Sequence, residues 1–139
     1  MPPSNFRICI PLILVMTLDL IFTVMGQPDI YWQDYRLYKE NSPMGCILLP
    51  MGPTFFAVIF LLYMLSVLLL TIKLPKPINI AFAITIFLSH VWGGVSWVPS
   101  LYKKFCLIEL NTIYEWHLCV GYFIIIAVIS SLCLNTKKS

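Results

Sequence analysis

The chain has 139 residues, 60% of them hydrophobic and 11% charged, where soluble domains carry about 25% charged residues. A single domain of this length has too much surface for its volume to hide so much apolar side chain from water, so a soluble globular fold is excluded and lipid is the natural solvent. The formal net charge is +3, and the basic residues are scattered or paired, which excludes the dense basic face that nucleic acid requires.

The first apolar run covers 8–25 and holds Asp19 and Thr23. Its length approaches the roughly 20 residues needed to cross the hydrocarbon core. Val24-Met25-Gly26 would tolerate signal-peptide cleavage, but the long apolar stretch, the internal Asp19 and the single basic flank Arg7 favour a retained span. The loop 26–52 comes next. In its "DIYWQDYRLYKE" segment Tyr31, Tyr35 and Tyr38 recur at helical spacing beside Trp32, as in a short helix lying at the headgroup level. In "NSPMGCILLPMGP" Ser42 is placed to cap a second short helix with Pro43 in its first turn. Pro50, Gly52 and Pro53 then break it.

The second and third spans are expected over 53–72 and 78–98. They form an antiparallel hairpin around "KLPKP" (73–77), since proline stops a helix and biases its predecessor to extended geometry. The fourth span is expected over 113–134. The predicted fold is therefore all-α: one integral membrane domain, 1–139, built as a four-helix transmembrane bundle with a structured outer loop carrying one or two short interfacial helices. With the N-terminus inside, Arg7, Lys73, Lys76, Lys137 and Lys138 fall inside and Arg36, Lys39, Lys103 and Lys104 outside. That small excess of inner lysine and arginine favours both termini in the cytoplasm. Asp29, Asp34, Glu40, Glu109 and Glu115 all fall outside, although acids contribute little to sorting.

Ionisable groups inside spans are costly and tend to face the bundle interior or a wet cavity. Four qualify: Asp19, His90, Glu115 and His117. At about 1.5 Å of rise per residue, Asp19 lies roughly 9 Å below the outer end of its span, His90 roughly 12 Å and His117 roughly 7 Å. Three helices thus bring an acid and two imidazoles to the outer half of the bundle. Each also has a plainer reading. Asp19 sits one turn before Thr23, whose hydroxyl could bond to it or to the helix backbone. His90 shares a helix face with Gly94 and Trp97 and could simply bridge two helices; Gly93 and Gly94 mark a close helix approach, and Trp92 and Trp97 suit interface and packing positions. "TIYE" (112–115) matches a capping box of Thr112 with Glu115, and His117 could be only interfacial.

Asp19, His90 and His117 together could hold zinc or another divalent metal, two facing histidines could ligate haem, and a histidine beside a buried carboxylate could move protons. No local motif selects among these: there is no His-Glu-x-x-His, no phosphate loop and no Gly-x-Ser-x-Gly. Of the five cysteines, Cys9, Cys46, Cys106, Cys119 and Cys133, Cys46 and Cys106 share the outer side and could pair if that side is oxidising. The plainer reading makes all five small apolar fillers.

The segments "LDLIFTVMGQPDIYW", "ENSPMGCILLPMGPTFF" and "SHVWGGVSW" resemble a group of small, uncharacterised bacterial integral membrane proteins. That group has an Asp and a Thr in the first span, Glu-Asn-x-Pro before the second and His-x-x-Gly in the third. The resemblance covers about the first hundred residues, touches Asp19, Thr23, Glu40, Asn41, Pro43, His90 and Gly93, and leaves out the fourth span. It implies a bacterial inner membrane and one site built from Asp19, Glu40, Asn41 and His90, and it implies no reaction. Two functions follow. In the first, a polytopic protein embedded in the bilayer binds a membrane protein partner, a second copy of itself or a small ligand through an outer-leaflet polar cluster. In the second, a small membrane enzyme or a haem- or metal-binding protein uses Asp19, His90 and His117. Transport is a third class, for which four helices without discontinuous repeats offer little pathway.

Overall fold

The computed structural model describes residues 4–106 and 112–135, without the side chains of 4–6, 112, 133 and 135. The Thr112 side chain of the expected capping box, Glu109, Cys133, Lys137 and Lys138 lie outside this description. Five helices follow in order: α1 (Ser4–Met25), α2 (Pro43–Leu48), α3 (Pro53–Lys73), α4 (Ile78–Cys106) and α5 (Thr112–Asn135), and no strand occurs among the described residues. The four long helices are each apolar and long enough to cross a membrane, so the chain is an integral, multi-pass membrane protein.

The apolar surface is distributed as lipid demands. Leu61, Leu62 and Leu65 on α3 and Ile124, Ile125 and Val128 on α5 point outward, while Val15, Met16, Phe56, Phe60, Val67, Val91 and Ile126 meet inside. α1 is the central helix, packed on α3, α4 and α5 and most extensively on α4. Several hydroxyls within the spans are satisfied by their own helices: Ser66 donates to Leu62 O, Thr71 to Val67 O and Thr85 to Ala81 O. This is the local route open to serine and threonine where water is absent.

α4 outruns its expected end at 98 by two turns, through Pro99, to Cys106. Proline lacks the N–H that would serve the carbonyl four residues back, here that of Val95. The Cys119 thiol of α5 donates to the Val95 carbonyl at 3.9 Å instead. A neighbouring helix thus meets a buried carbonyl that its own helix leaves without a donor.

The loop end is organised by buried polar side chains. Gln27, 0% exposed, donates its amide to Thr23 O at 2.9 Å and Lys39 O at 3.1 Å, and its Oε1 accepts from Lys39 N at 2.8 Å. Lys104 of α4 reaches Gln27 O and the Asp29 carboxylate, each at 3.0 Å. The expected surface helix around Tyr31 is only one 3-10 turn, Asp29–Trp32. Tyr31 does not lie at the interface; it is 0% exposed and its hydroxyl donates to Leu49 O at 3.1 Å. Burial, with Tyr35 adding, pushes its phenol above the ordinary range and keeps it a donor. The second short helix is as the sequence predicts: Ser42 Oγ caps α2 by accepting from Gly45 N at 3.1 Å, with Pro43 in the first turn. A second 3-10 turn, Leu49–Met51, and Gly52 at φ +100° then turn the chain into α3. Cys46 and Cys106 are not disulfide-bonded.

Gln27→Ala is expected to release the loop from the bundle. Three hydrogen bonds at about 1 kcal/mol each put the loss near 3 kcal/mol. Trypsin cleavage after Arg36 and Lys39 should accelerate while the circular dichroism of the spans stays unchanged; unaltered cleavage would mean that the clamp lies elsewhere.

Candidate functional site

α1 and α4 meet where the loop covers the bundle, and their closest polar contact is Asp19 Oδ2 to His90 Nδ1 at 2.7 Å. Both side chains are nearly buried, at 13% and 11% exposed. On the other side of the ring, His90 Nε2 lies 3.4 Å from the Tyr63 hydroxyl of α3. A carboxylate oxygen accepts, so Nδ1–H donates to Asp19 and Nε2 faces the Tyr63 hydroxyl. Phe60 meets the imidazole edge-on at 5.6 Å between centroids, with Tyr63 tilted against it at 5.8 Å. His90 on α4 thus contacts both α1 and α3, one helix more than the two of its plainer reading.

The glycine pair beside it is explained by the same contact. A Cβ on Gly93 would fall 2.8 and 2.9 Å from the two Asp19 carboxylate oxygens. One on Gly94 would fall 2.6 Å from the Tyr122 hydroxyl of α5 and 3.9 Å from the Asp19 Cα. Gly93 makes room for the acid, and Gly94 lets α1 and α5 approach. The Tyr122 hydroxyl is itself buried without a hydrogen-bond partner among the described residues.

The pair does not close the bundle. A cavity of about 270 Å³ remains over it, with Asp19 and His90 in its floor, Phe56, Phe60 and Trp97 in its walls, and Glu40 and Ser42 in its loop-side rim. It continues into a shallower vestibule of about 460 Å³, lined in addition by Lys39, Asn41, Trp92 and Ser100. Glu40 is aimed by its surroundings. Its Oε1 accepts from Asn41 N at 2.7 Å and Ser42 N at 2.8 Å, and its chain folds over Gly45, where a Cβ would collide with the Glu40 Cγ. Trp97 is buried at 6% exposed and packs on Gly26, whereas Trp92 is 71% exposed on the outer surface of α4.

The structure thus brings together Asp19, His90 and Glu40, with Thr23 and Gly93 in the same lining and Asn41 in the vestibule. His117 does not join them. It is exposed, and its Nδ1 lies 2.6 Å from Ile113 O on its own helix, so a level shared with His90 does not become a shared site. No group of three or more His, Cys, Asp or Glu side chains among the described residues is placed to hold a metal ion. Two ligating side chains, Asp19 and His90, are short of the three that a catalytic zinc takes from protein, and His90 and His117 do not face each other across a haem.

Tyr63, Phe60 and Phe56 were not foreseen. Phe56 and Phe60 form, with Val67 and Thr71, the buried stripe of α3, and the half-buried Tyr63 packs in line with it. The available signal was Tyr63, an aromatic hydroxyl about 15 Å into a span whose other polar side chains are the small hydroxyls of Thr54, Ser66 and Thr71. Such a group needs a partner where water is absent.

No protein-family model matches this chain, and neither a curated protein nor a solved structure is significantly similar to it.

Proposed function

We propose that this chain is a ligand-binding membrane protein that receives a small molecule in the cavity over Asp19 and His90. The observation that carries the reading is the cavity itself. If the Asp19–His90–Tyr63 chain served only to join helices, close packing on every side would be expected. Instead about 270 Å³ of space is left against it, rimmed by Glu40 and walled by aromatic rings. Concave, mostly apolar pockets with a few convergent polar groups suit small molecules better than the surface of a partner protein. The small excess of lysine and arginine on the side away from the loop supports a reading with the loop outside and both termini in the cytoplasm, and the resemblance of the first hundred residues supports a bacterial inner membrane.

The test is to fill the cavity. Ser96 lines it from α4, and Ser96→Trp should leave the helical spectrum and melting temperature of the detergent-purified protein near those of the parent. Native mass spectrometry of the parent, after incubation with a total polar lipid and metabolite extract of its source membrane, should show a defined adduct that the variant lacks. An adduct spectrum identical in both proteins would sink the pocket. The same preparation addresses the rival reading, because a Soret band or near-stoichiometric zinc, lost with His90→Ala, would replace ligand binding by a cofactor site.

A further inference from the structure

The hydrogen-bond roles around the cavity narrow the ligand further, and this step rests on the pocket reading above. Two of the lining hydroxyls, those of Ser89 and Ser96, have their protons committed to their own helix, whereas Ser42 Oγ accepts from Gly45 N and keeps its proton for the space. Ser89 Oγ donates to Thr85 O at 2.8 Å and Ser96 Oγ to Gly93 O at 2.6 Å. The His90 Nδ1 proton goes to Asp19, and the Tyr63 hydroxyl faces Nε2. Apart from Ser42, what these groups present to the cavity is lone pairs, together with the second oxygens of Asp19 and Glu40, which have no donor among the described residues. No lysine or arginine lines the chamber. Asp19 and Glu40 are its acidic side chains and His90 its one imidazole. A ligand that fits must supply hydrogen-bond donors and positive charge, and the rings of Phe56, Phe60 and Trp97 suit a cation on their faces.

The vestibule shares Glu40 with the chamber and adds a lysine, Lys39. Arg36 is paired with Asp34 and Lys104 with Asp29. Lys39 makes no ion pair among the described residues and reaches only Ser100 Oγ, at 3.4 Å, on the vestibule wall. An acceptor-lined chamber followed by an uncompensated ammonium is the pattern for a zwitterion that enters amine first.

We propose that the site takes a phosphoethanolamine group, its primary ammonium over Asp19 and Glu40 and its phosphate at Lys39. A primary ammonium has three protons for the lone pairs present, whereas a trimethylammonium has none. The group could arrive on a phospholipid or as a free, water-soluble ester.

The experiment titrates the detergent-purified full chain with dioctanoyl phosphatidylethanolamine, phosphatidylcholine and phosphatidylglycerol, following adducts by native mass spectrometry. The ethanolamine lipid should bind at least about tenfold more tightly than the other two, the gap expected for one charge-assisted hydrogen bond. Glu40→Gln keeps an Oε1 for the two loop amides and removes the charge; it should weaken the ethanolamine lipid about tenfold. Lys39→Met should weaken ethanolamine and choline lipids alike, since both carry the phosphate. Equal binding of the three lipids, or ethanolamine-lipid binding indifferent to Glu40→Gln, overturns the ligand class. If Ser96→Trp still abolishes binding in that case, the pocket stands with another ligand; if Ser96→Trp changes nothing, the pocket falls as well. Competition by water-soluble phosphoethanolamine assigns the free ester as the source, and its failure against a bound ethanolamine lipid assigns the bilayer; both outcomes support the class.

Discussion

His90→Ala should destabilise the protein by about 2–3 kcal/mol, and Asp19→Asn in the same chain should recover most of that loss. Removing one partner from a buried charged pair costs about 3–5 kcal/mol, chiefly because the other charge is stranded away from water. The cavity beside Asp19 lets solvent reach the stranded carboxylate, which brings the figure down. It does not vanish, because the Asp19 side chain is 13% exposed and its helix lies at the centre of the bundle. The measurement is the detergent unfolding midpoint of the parent, both single variants and the double variant. A pair that acts as a unit gives strong coupling, with the double variant more stable than His90→Ala alone. Additive losses would show that Asp19 and His90 are stabilised independently and that their 2.7 Å contact contributes little.

The parts of this site that the sequence revealed are those where chemistry and location disagree. An aspartate or histidine in a lipid-spanning run is costly enough to stand out, and antiparallel threading then sets Asp19 and His90 at similar depth. Depth is not direction, which is why His117 passed the same test and yet faces away. α3 and α5 have no amphipathic stripe, so no periodic pattern marks which residues point inward. Tyr63 was hidden for that reason. Tyr31 misled in the opposite sense: an aromatic near the membrane surface suits the interface, but its hydroxyl found Leu49 O and its ring was buried. Loop residues such as Glu40 are placed by local turns, here the capped start of α2 and the space left by Gly45. Their reach into a cavity depends on tertiary docking through Gln27, which no local pattern encodes.

Gly93→Ala is the sharper probe of how the site is built, since two effects oppose each other. In an ordinary helix interior, replacing glycine by alanine stabilises by about 1 kcal/mol. Here the new methyl would stand 2.8 and 2.9 Å from the Asp19 oxygens and 3.1 Å from its Cγ. The carboxylate is short and close to its backbone, so it must move, and the hydrogen bond to His90 Nδ1 lengthens with it. Overpacking at about 1–3 kcal/mol, plus the loss of a charged hydrogen bond at about 1.5–3 kcal/mol, exceeds the propensity gain, so a net loss of about 1.5–5 kcal/mol is expected. In an Asp19→Ala background the obstacle is gone, and the same substitution should become neutral or stabilising. Gly94→Ala supplies the control, because its methyl meets the Tyr122 hydroxyl at 2.6 Å and should be relieved by Tyr122→Phe but not by Asp19→Ala. If Gly93→Ala costs the same with and without the Asp19 carboxylate, the glycine serves helix approach alone and the site does not depend on it.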